Sequence, residues 1–191
     1  FGTTVLDAVT PLAGGLSGAR VYRIRVGGIA YLLRIEGVRD ELRDPGRWYG
    51  CMEAAAEGCI APRVHYACPV DGVMIVDLIE QRSLELDYMG GRQALLTEMG
   101  QTVRALHALA PFPPMVDYLG AIEGMADRLL ASGMLAAVET RPRLDRFRAL
   151  AAVYRTLAPE PAPSHNDLNP GNILYDGRRL WLIDWESAFQ D

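Results

Sequence analysis

Apolar and polar positions alternate with period two through most of the first eighty or so residues, and recur every three or four residues from about Arg92. Residues 5–12, 19–26 and 29–35 read as three strands, with Gly27-Gly28 as the tight turn between the last two. A helix is predicted over 46–57, burying Trp48, Cys51, Met52, Ala55 and Ala56 and ending near Gly58. Strands over 63–67 and 73–79 follow, joined by the turn Pro69-Val70-Asp71-Gly72. Leu95, Met99, Val103, Leu106 and Ala110 then mark a helix that Pro111 ends. Two more helical stretches cover roughly 120–137, with Gly133 as its break point, and 143–157, with Leu144, Phe147, Leu150, Tyr154 and Leu157 on one side. Pro159, Pro161 and Pro163 lead the chain on in extended form. Two short apolar runs, 173–175 and 180–183, flank Asp176-Gly177 and read as a β-hairpin.

That hairpin brings polar ends together. Ahead of it runs His165-Asn166-Asp167-Leu168-Asn169-Pro170-Gly171-Asn172, and its second strand ends on Asp184. Any one Asp or Asn in such a Pro/Gly loop is ordinarily a turn former. Together they offer two carboxylates and an amide oxygen, hard ligands that suit Mg²⁺ alongside substrate phosphates. Asn172 and Asp184 would hold the metal, leaving Asp167 to orient or deprotonate an attacking hydroxyl. An Asp and an Asn five residues apart, with a metal-binding Asp further on, is the arrangement of the protein-kinase catalytic loop.

The segment HNDLNPGNIL followed by LIDWE resembles the signature of the choline kinase and aminoglycoside phosphotransferase superfamily, which shares the protein-kinase fold. Its HND and IDWE forms are closer to the choline kinase-like branch. The resemblance implies that Asp167 is the catalytic base, that Asn172 and Asp184 hold Mg²⁺, and that His165 braces the loop. It also makes the loop holding Gly15, Ser17 and Gly18 the expected cover for nucleotide phosphates through its backbone N–H groups. On the third strand, period two puts Leu32 and Arg34 on one face, so that Leu32 can cover an adenine while Arg34 reaches the phosphates. Glu53 is the expected carboxylate partner of Arg34, with Glu57 as its rival. By resemblance, Asp77, Leu78 and Ile79 form the hinge, whose backbone at Asp77 and Ile79 would hydrogen-bond the adenine; Gln81 stands where many relatives have Gly.

Composition narrows the picture further. A formal net charge of −5 gives no general attraction to nucleic acid or acidic membranes. Cys51, Cys59 and Cys68 lack a C-x-x-C pair, which argues against structural zinc and a disulfide framework and fits a reducing cytoplasm. No apolar run approaches the roughly 18 residues of a membrane helix. Arg141, Arg143, Arg146 and Arg148 read as a solvated helix face, with an anionic partner as the sharper alternative, and His107 as a packing residue.

The expected fold is therefore α+β and protein-kinase-like: an antiparallel β-rich nucleotide lobe over residues 1–80 and a mainly helical catalytic lobe over 81–191. Relatives normally continue beyond such a hairpin, so the chain from Phe1 to Asp191 is expected to be a fragment or truncated form. The expected activity is transfer of the γ-phosphoryl of ATP to a small-molecule hydroxyl, with choline or a related amino alcohol such as ethanolamine preferred and an aminoglycoside as the alternative. Asn169, Trp185 and Glu186 are the candidate acceptor contacts, since a quaternary ammonium needs aromatic faces and carboxylates. A non-catalytic nucleotide-binding module and a metal hydrolase built on His165 and Asp167 are rivals from other classes; the second lacks further His ligands nearby.

Overall fold

The computed structural model describes residues 5–12, 18–37, 44–114, 117–157 and 160–190. Strands β1 (Ala8–Leu12), β2 (Arg20–Val26) and β3 (Ile29–Ile35) precede helix α1 (Pro45–Glu57), and β4 (Val64–Cys68) and β5 (Val73–Asp77) complete a sheet of order β1-β2-β3-β5-β4. Every pairing in it is antiparallel. Gly27 and Gly28 sit at φ +57° and +80°, the left-handed pair that a two-residue hairpin turn requires, which is why glycine occupies both positions. Helix α1 starts where Asp44 accepts a hydrogen bond from the Gly46 amide at 2.8 Å and Pro45 fills the first turn, whose N–H groups have no helical partner. Its apolar stripe of Trp48, Cys51, Met52 and Ala55 is buried at the spacing of one helical face.

Helices α2 (Gly91–His107), α3 (Tyr118–Ala131) and α4 (Ala137–Leu157) follow, then β6 (Pro163–Ser164), β7 (Ile173–Tyr175), β8 (Leu180–Leu182) and β9 (Phe189–Gln190). Strands β7 and β8 form the expected hairpin, and β6 pairs with β9. The contacts divide the chain into two units, Phe1–Pro113 with Ala162–Gln190, and Pro114–Pro161. The first unit contains the large sheet, α1, α2 and both small sheets. Its core joins Trp48 and Met52 of α1, Met74 and Val76 of β5, and Leu106 of α2 to Ile173, Tyr175, Leu182 and Trp185. The second unit is the α3–α4 pair, on which Arg148 donates to both Asp127 oxygens at 2.9 and 3.0 Å. One member of the arginine cluster thus serves a helix-to-helix ion pair, while Arg141, Arg143 and Arg146 are exposed.

Several boundaries differ from expectation: β1 starts at Ala8 instead of residue 5, and α2 ends at His107, short of Pro111. Strand β5 ends at Asp77, two residues early, because the ladder to β3 stops at the Tyr31–Asp77 pair. The predicted 120–137 stretch ends at Ala131, before the left-handed Gly133. Helix α4 starts at Ala137 and runs through Pro142, which forfeits one backbone bond near the N-terminal end. Its supposed apolar side is only partly buried: Leu144 and Ala151 are inside, whereas Leu150, Tyr154 and Leu157 are 60, 44 and 72% exposed. Leu106→Ala is therefore expected to lower the unfolding free energy by about 2–5 kcal/mol, and Leu150→Ala by no more than about 0.5 kcal/mol, in urea denaturation.

Candidate active site

The polar loop leaves β6 at Ser164, and its first side chain points inward. His165 is 1% exposed, its Nε2–H donates to the Ile183 carbonyl at 2.9 Å, and its ring packs on Trp185 with centroids 4.6 Å apart. The bond ties the start of the loop to the residue before Asp184. Because Nε2 carries the proton, Nδ1 is the unprotonated nitrogen, and it is buried without a hydrogen-bond partner among the described residues. Burial holds the imidazole pKa below its ordinary value, with the Ile183 carbonyl and Asp167 pulling the other way. Next, Asn166 turns the chain in the left-handed region at φ +61°, a conformation that Asn tolerates.

The loop then folds on itself. The Asn172 side-chain amide donates to the Asp167 carbonyl at 2.9 Å and to its carboxylate at 3.0 Å. Asn169 donates to the other carboxylate oxygen at 3.1 Å and accepts from the Gly171 amide at 2.8 Å. Two bonds, one to each oxygen, thus fix an exposed carboxylate, and since the Asn172 NH₂ is the donor, its amide oxygen remains an acceptor. Across the hairpin, Asp184 also adopts left-handed backbone at φ +63°. Burial pushes the Asp184 carboxyl above the usual range and Arg34 opposes this, while Glu186 and Asp167 add to the upward shift.

A cavity of about 500 Å³ runs from this end along a face of the large sheet, against β3 and β5. Leu32, Met74, Val76 and Leu174 line its apolar part, Asp77, Leu78 and Ile79 one edge, and Arg34, Asn172 and Asp184 its polar end. Arg34 donates to Glu36 at 2.8 Å, to Asp184 at 3.4 Å, and to Glu186. Burial opposes its charge, but the bonds and charges of Glu36 and Glu186 outweigh this and hold the guanidinium firmly protonated. Arg47 of α1 fastens the segment after Asp184, donating to the Glu186 carbonyl at 2.6 Å and to that of Ala188.

The expected residues divide accordingly. Asp167, Asn172, Asp184, Arg34, Asp77, Leu78 and Ile79 lie in or beside the cavity region. Gly18 stands at the mouth of its loop at φ +74°, its carbonyl packed so close to Gly37 that a Cβ there would meet it at 2.5 Å; Gly15 and Ser17 lie outside the described residues. Two readings are corrected. Glu53 does not meet Arg34: it falls off the buried stripe of α1, is exposed, and lines a separate cavity with Glu57, Arg63 and Arg179. Trp185 is 0% exposed, with its indole N–H donated to the Leu182 carbonyl and rings of His165 and Phe112 against it, so it has no face to offer an ammonium. Of the other two acceptor candidates, Asn169 serves the loop and Glu186 binds Arg34. Glu36 and Arg47 escaped the sequence reading. Glu36 was within reach of it, since the period that pairs Leu32 with Arg34 extends to residue 36.

The donor set fits a hard divalent cation. Among the described residues no three His, Cys, Asp or Glu side chains are grouped as a metal site, so an ion held by Asn172 and Asp184 would complete its shell with phosphate and water oxygens. No helix is long and apolar enough to cross a membrane among the described residues.

The buried imidazole carries a pH prediction. With its folded pKa below about 6.5, the unfolded chain takes up the proton more readily, so the stability contributed by neutral His165 is present above about pH 6.5 and is lost as pH falls below it. Asp184, shifted upward, acts in the opposite sense. Urea midpoints from pH 7.5 to 5 are expected to fall more steeply for the wild type than for His165→Asn; parallel curves would contradict the buried neutral ring.

Comparison with known proteins agrees with this geometry. Over 99% of its length the chain is similar to a choline/ethanolamine kinase family protein from Mesorhizobium loti, at 28% identity and TM-score 0.70, spanning 60% of that protein. It is similar in fold to the choline kinase LicA from Streptococcus pneumoniae, at 15% identity and TM-score 0.74 over 98% of this chain and 66% of LicA, which has also been solved with AMP. The gentamicin complex of APH(2")-IIa shares the fold at 15% identity and TM-score 0.71, over 97% of this chain and 67% of that one. No curated protein gives a significant match. The fold is α+β and protein-kinase-like, and with residues 8–190 matching its family pattern the chain belongs to the phosphotransferase enzyme family, APH.

Proposed function

We propose that the protein is an ATP-dependent small-molecule kinase that transfers the γ-phosphoryl group to the hydroxyl of choline or a related amino alcohol. The observation that carries this reading is the Asp167 carboxylate, fixed by Asn172 at 3.0 Å and Asn169 at 3.1 Å, near a cavity whose polar end holds Arg34, Asn172 and Asp184. A catalytic base needs that fixation, because its lone pair must meet a hydroxyl in one geometry.

ATP enters as substrate. Its base lies against Leu32, Met74 and Val76, and its phosphates extend to Arg34. The Asp77 amide is already donated to the Arg63 carbonyl at 3.0 Å, so the hinge offers the base the Asp77 carbonyl and the Ile79 amide. Residues 1–80 act as the nucleotide lobe and 81–191 as the catalytic lobe. Mg²⁺, held by Asn172 and Asp184, supplies charge neutralisation at the phosphate oxygens when bound. Asp167 orients the acceptor hydroxyl and receives its proton as the oxygen bonds to the γ-phosphorus. The bond from that phosphorus to the bridging oxygen breaks, and ADP leaves. Arg34 lowers the electrostatic cost of bringing the triphosphate against the carboxylates.

For the acceptor, support comes from the 28% identity to a choline/ethanolamine kinase family protein. ATP consumption by the full-length protein with Mg²⁺ and choline, ethanolamine or kanamycin tests this. Turnover is expected with an amino alcohol and is expected to fall about 10²–10⁴-fold in Asp167→Ala. Exclusive use of kanamycin would make the protein an aminoglycoside kinase. ATP binding without turnover on any acceptor would favour a non-catalytic module.

A further inference from the structure

A cation that meets phosphates works best when something other than the ligand fixes its direction, and in this chain that role has passed from helix to strand. Arg34 and Glu36 are two residues apart on and just beyond β3, so backbone geometry alone brings their side chains to one face. Glu36 grips one edge of the guanidinium: Nε donates to Oε1 at 2.8 Å and Nη2 to Oε2 at 3.4 Å. Both side chains are well buried, 14 and 9% exposed, so the pair is weakly screened. This grip turns Nη1 towards Asp184, 3.4 Å away, at the polar end of the cavity.

Helix α1 reaches the pair through two aromatic side chains. The Tyr49 hydroxyl, on a side chain 1% exposed, donates to Glu36 Oε1 at 3.4 Å. Trp48 lies 5.1 Å from the Arg34 guanidinium carbon and edge-on to Tyr49. Glu186 also bonds Arg34, but it sits on the segment that carries Asp184, so its distance to the guanidinium depends on how two separate stretches meet. Glu36 is bound to Arg34 by the strand itself.

We infer that Glu36, backed by Tyr49, is the positioning residue that aims Arg34 at the nucleotide phosphates, the part expected of a carboxylate on α1. The inference rests on the nucleotide reading above. Glu36 acts through Arg34 and touches no reacting atom.

The test measures Mg-ATP dissociation constants by calorimetry, with urea unfolding of the same full-length proteins. Glu36→Gln is expected to weaken ATP about tenfold, in line with the effect of removing an outer partner of a ligand-binding group. Glu36→Asp is expected to recover part of the loss, Tyr49→Phe to weaken ATP about two- to threefold, and Glu53→Gln to leave it unchanged. The acceptor KM is expected to stay constant while the ATP KM rises. In an Arg34→Met background, Glu36→Gln should add no further loss, which a merely structural role would not produce. Unchanged ATP affinity in a folded Glu36→Gln protein, or a loss in Glu53→Gln of equal size, overturns the inference. Wild-type protein that binds no ATP overturns the nucleotide reading and this role with it, while a non-additive shift in urea midpoint between Arg34→Met and Glu36→Gln would still report the clamp itself.

Discussion

A guanidinium removed from water must be met by carboxylates, and the arrangement of this site follows from how Arg34 is met. The desolvation cost of burying one unpaired charge is several kcal/mol, of the order of a whole domain's net stability. Glu36, Asp184 and Glu186 converge on Arg34 from the strand and from the segment after the hairpin. The ion cluster therefore joins the end of the central strand β3 to the hairpin that holds Asn172 and Asp184. Arg47 repeats the device with carbonyl acceptors, holding Glu186 and Ala188 from α1. Two arginines from sequence-distant elements thus fix the position of a loop that has little regular structure of its own.

The loop is braced from beneath by apolar matter. Trp185 fills the space under His165, and the imidazole spends its one N–H on the Ile183 carbonyl. That bond spans the gap between the start of the polar loop and the residue after β8, tying the segment of Asp167 to that of Asp184. Left-handed backbone at Asn166 and Asp184 is tolerated because both neighbours are so anchored. A ring next to a site residue in sequence can thus be the wedge beneath it instead of a face offered to a ligand.

What was legible in the sequence was what short-range rules govern. Period-two alternation and the Gly27-Gly28 turn located β2 and β3, and the Asp176-Gly177 turn between two short apolar runs located the β7–β8 hairpin, because each depends on residues within a few positions. Asp184 followed from the end of the second strand. The failures share the opposite character. Glu53 looked right by resemblance, yet the stripe Trp48, Cys51, Met52, Ala55 decides which side of α1 faces the cavity, and Glu53 lies off it. Trp185 could be read as exposed or buried until Phe112 and His165, far apart in sequence, were seen on either side of it. Leu150 and Leu157 have helical spacing in α4 but are exposed, since spacing marks a face without saying that anything covers it.

Charge arithmetic also bears on the chemistry. Among the described residues, Asp167, Asp184, Glu186 and Glu36 stand around one end of the cavity, four carboxylates with Arg34 paired to three of them and Arg47 bound to the Glu186 carbonyl. A triphosphate brought to that end unaccompanied would meet net repulsion; burial already pushes the Asp184 carboxyl up, and Glu186 and Asp167 add to the shift against Arg34. Two responses are open to such a site: protonate a carboxyl, or admit a cation. Protonation of Asp184 would remove the charge with which it could hold a cation. On the proposed nucleotide reading, a divalent ion shared between Asp184 and the phosphates would relieve both repulsions at once, so the acid-rich composition of the site is itself an argument for a metal-nucleotide substrate over a free nucleotide.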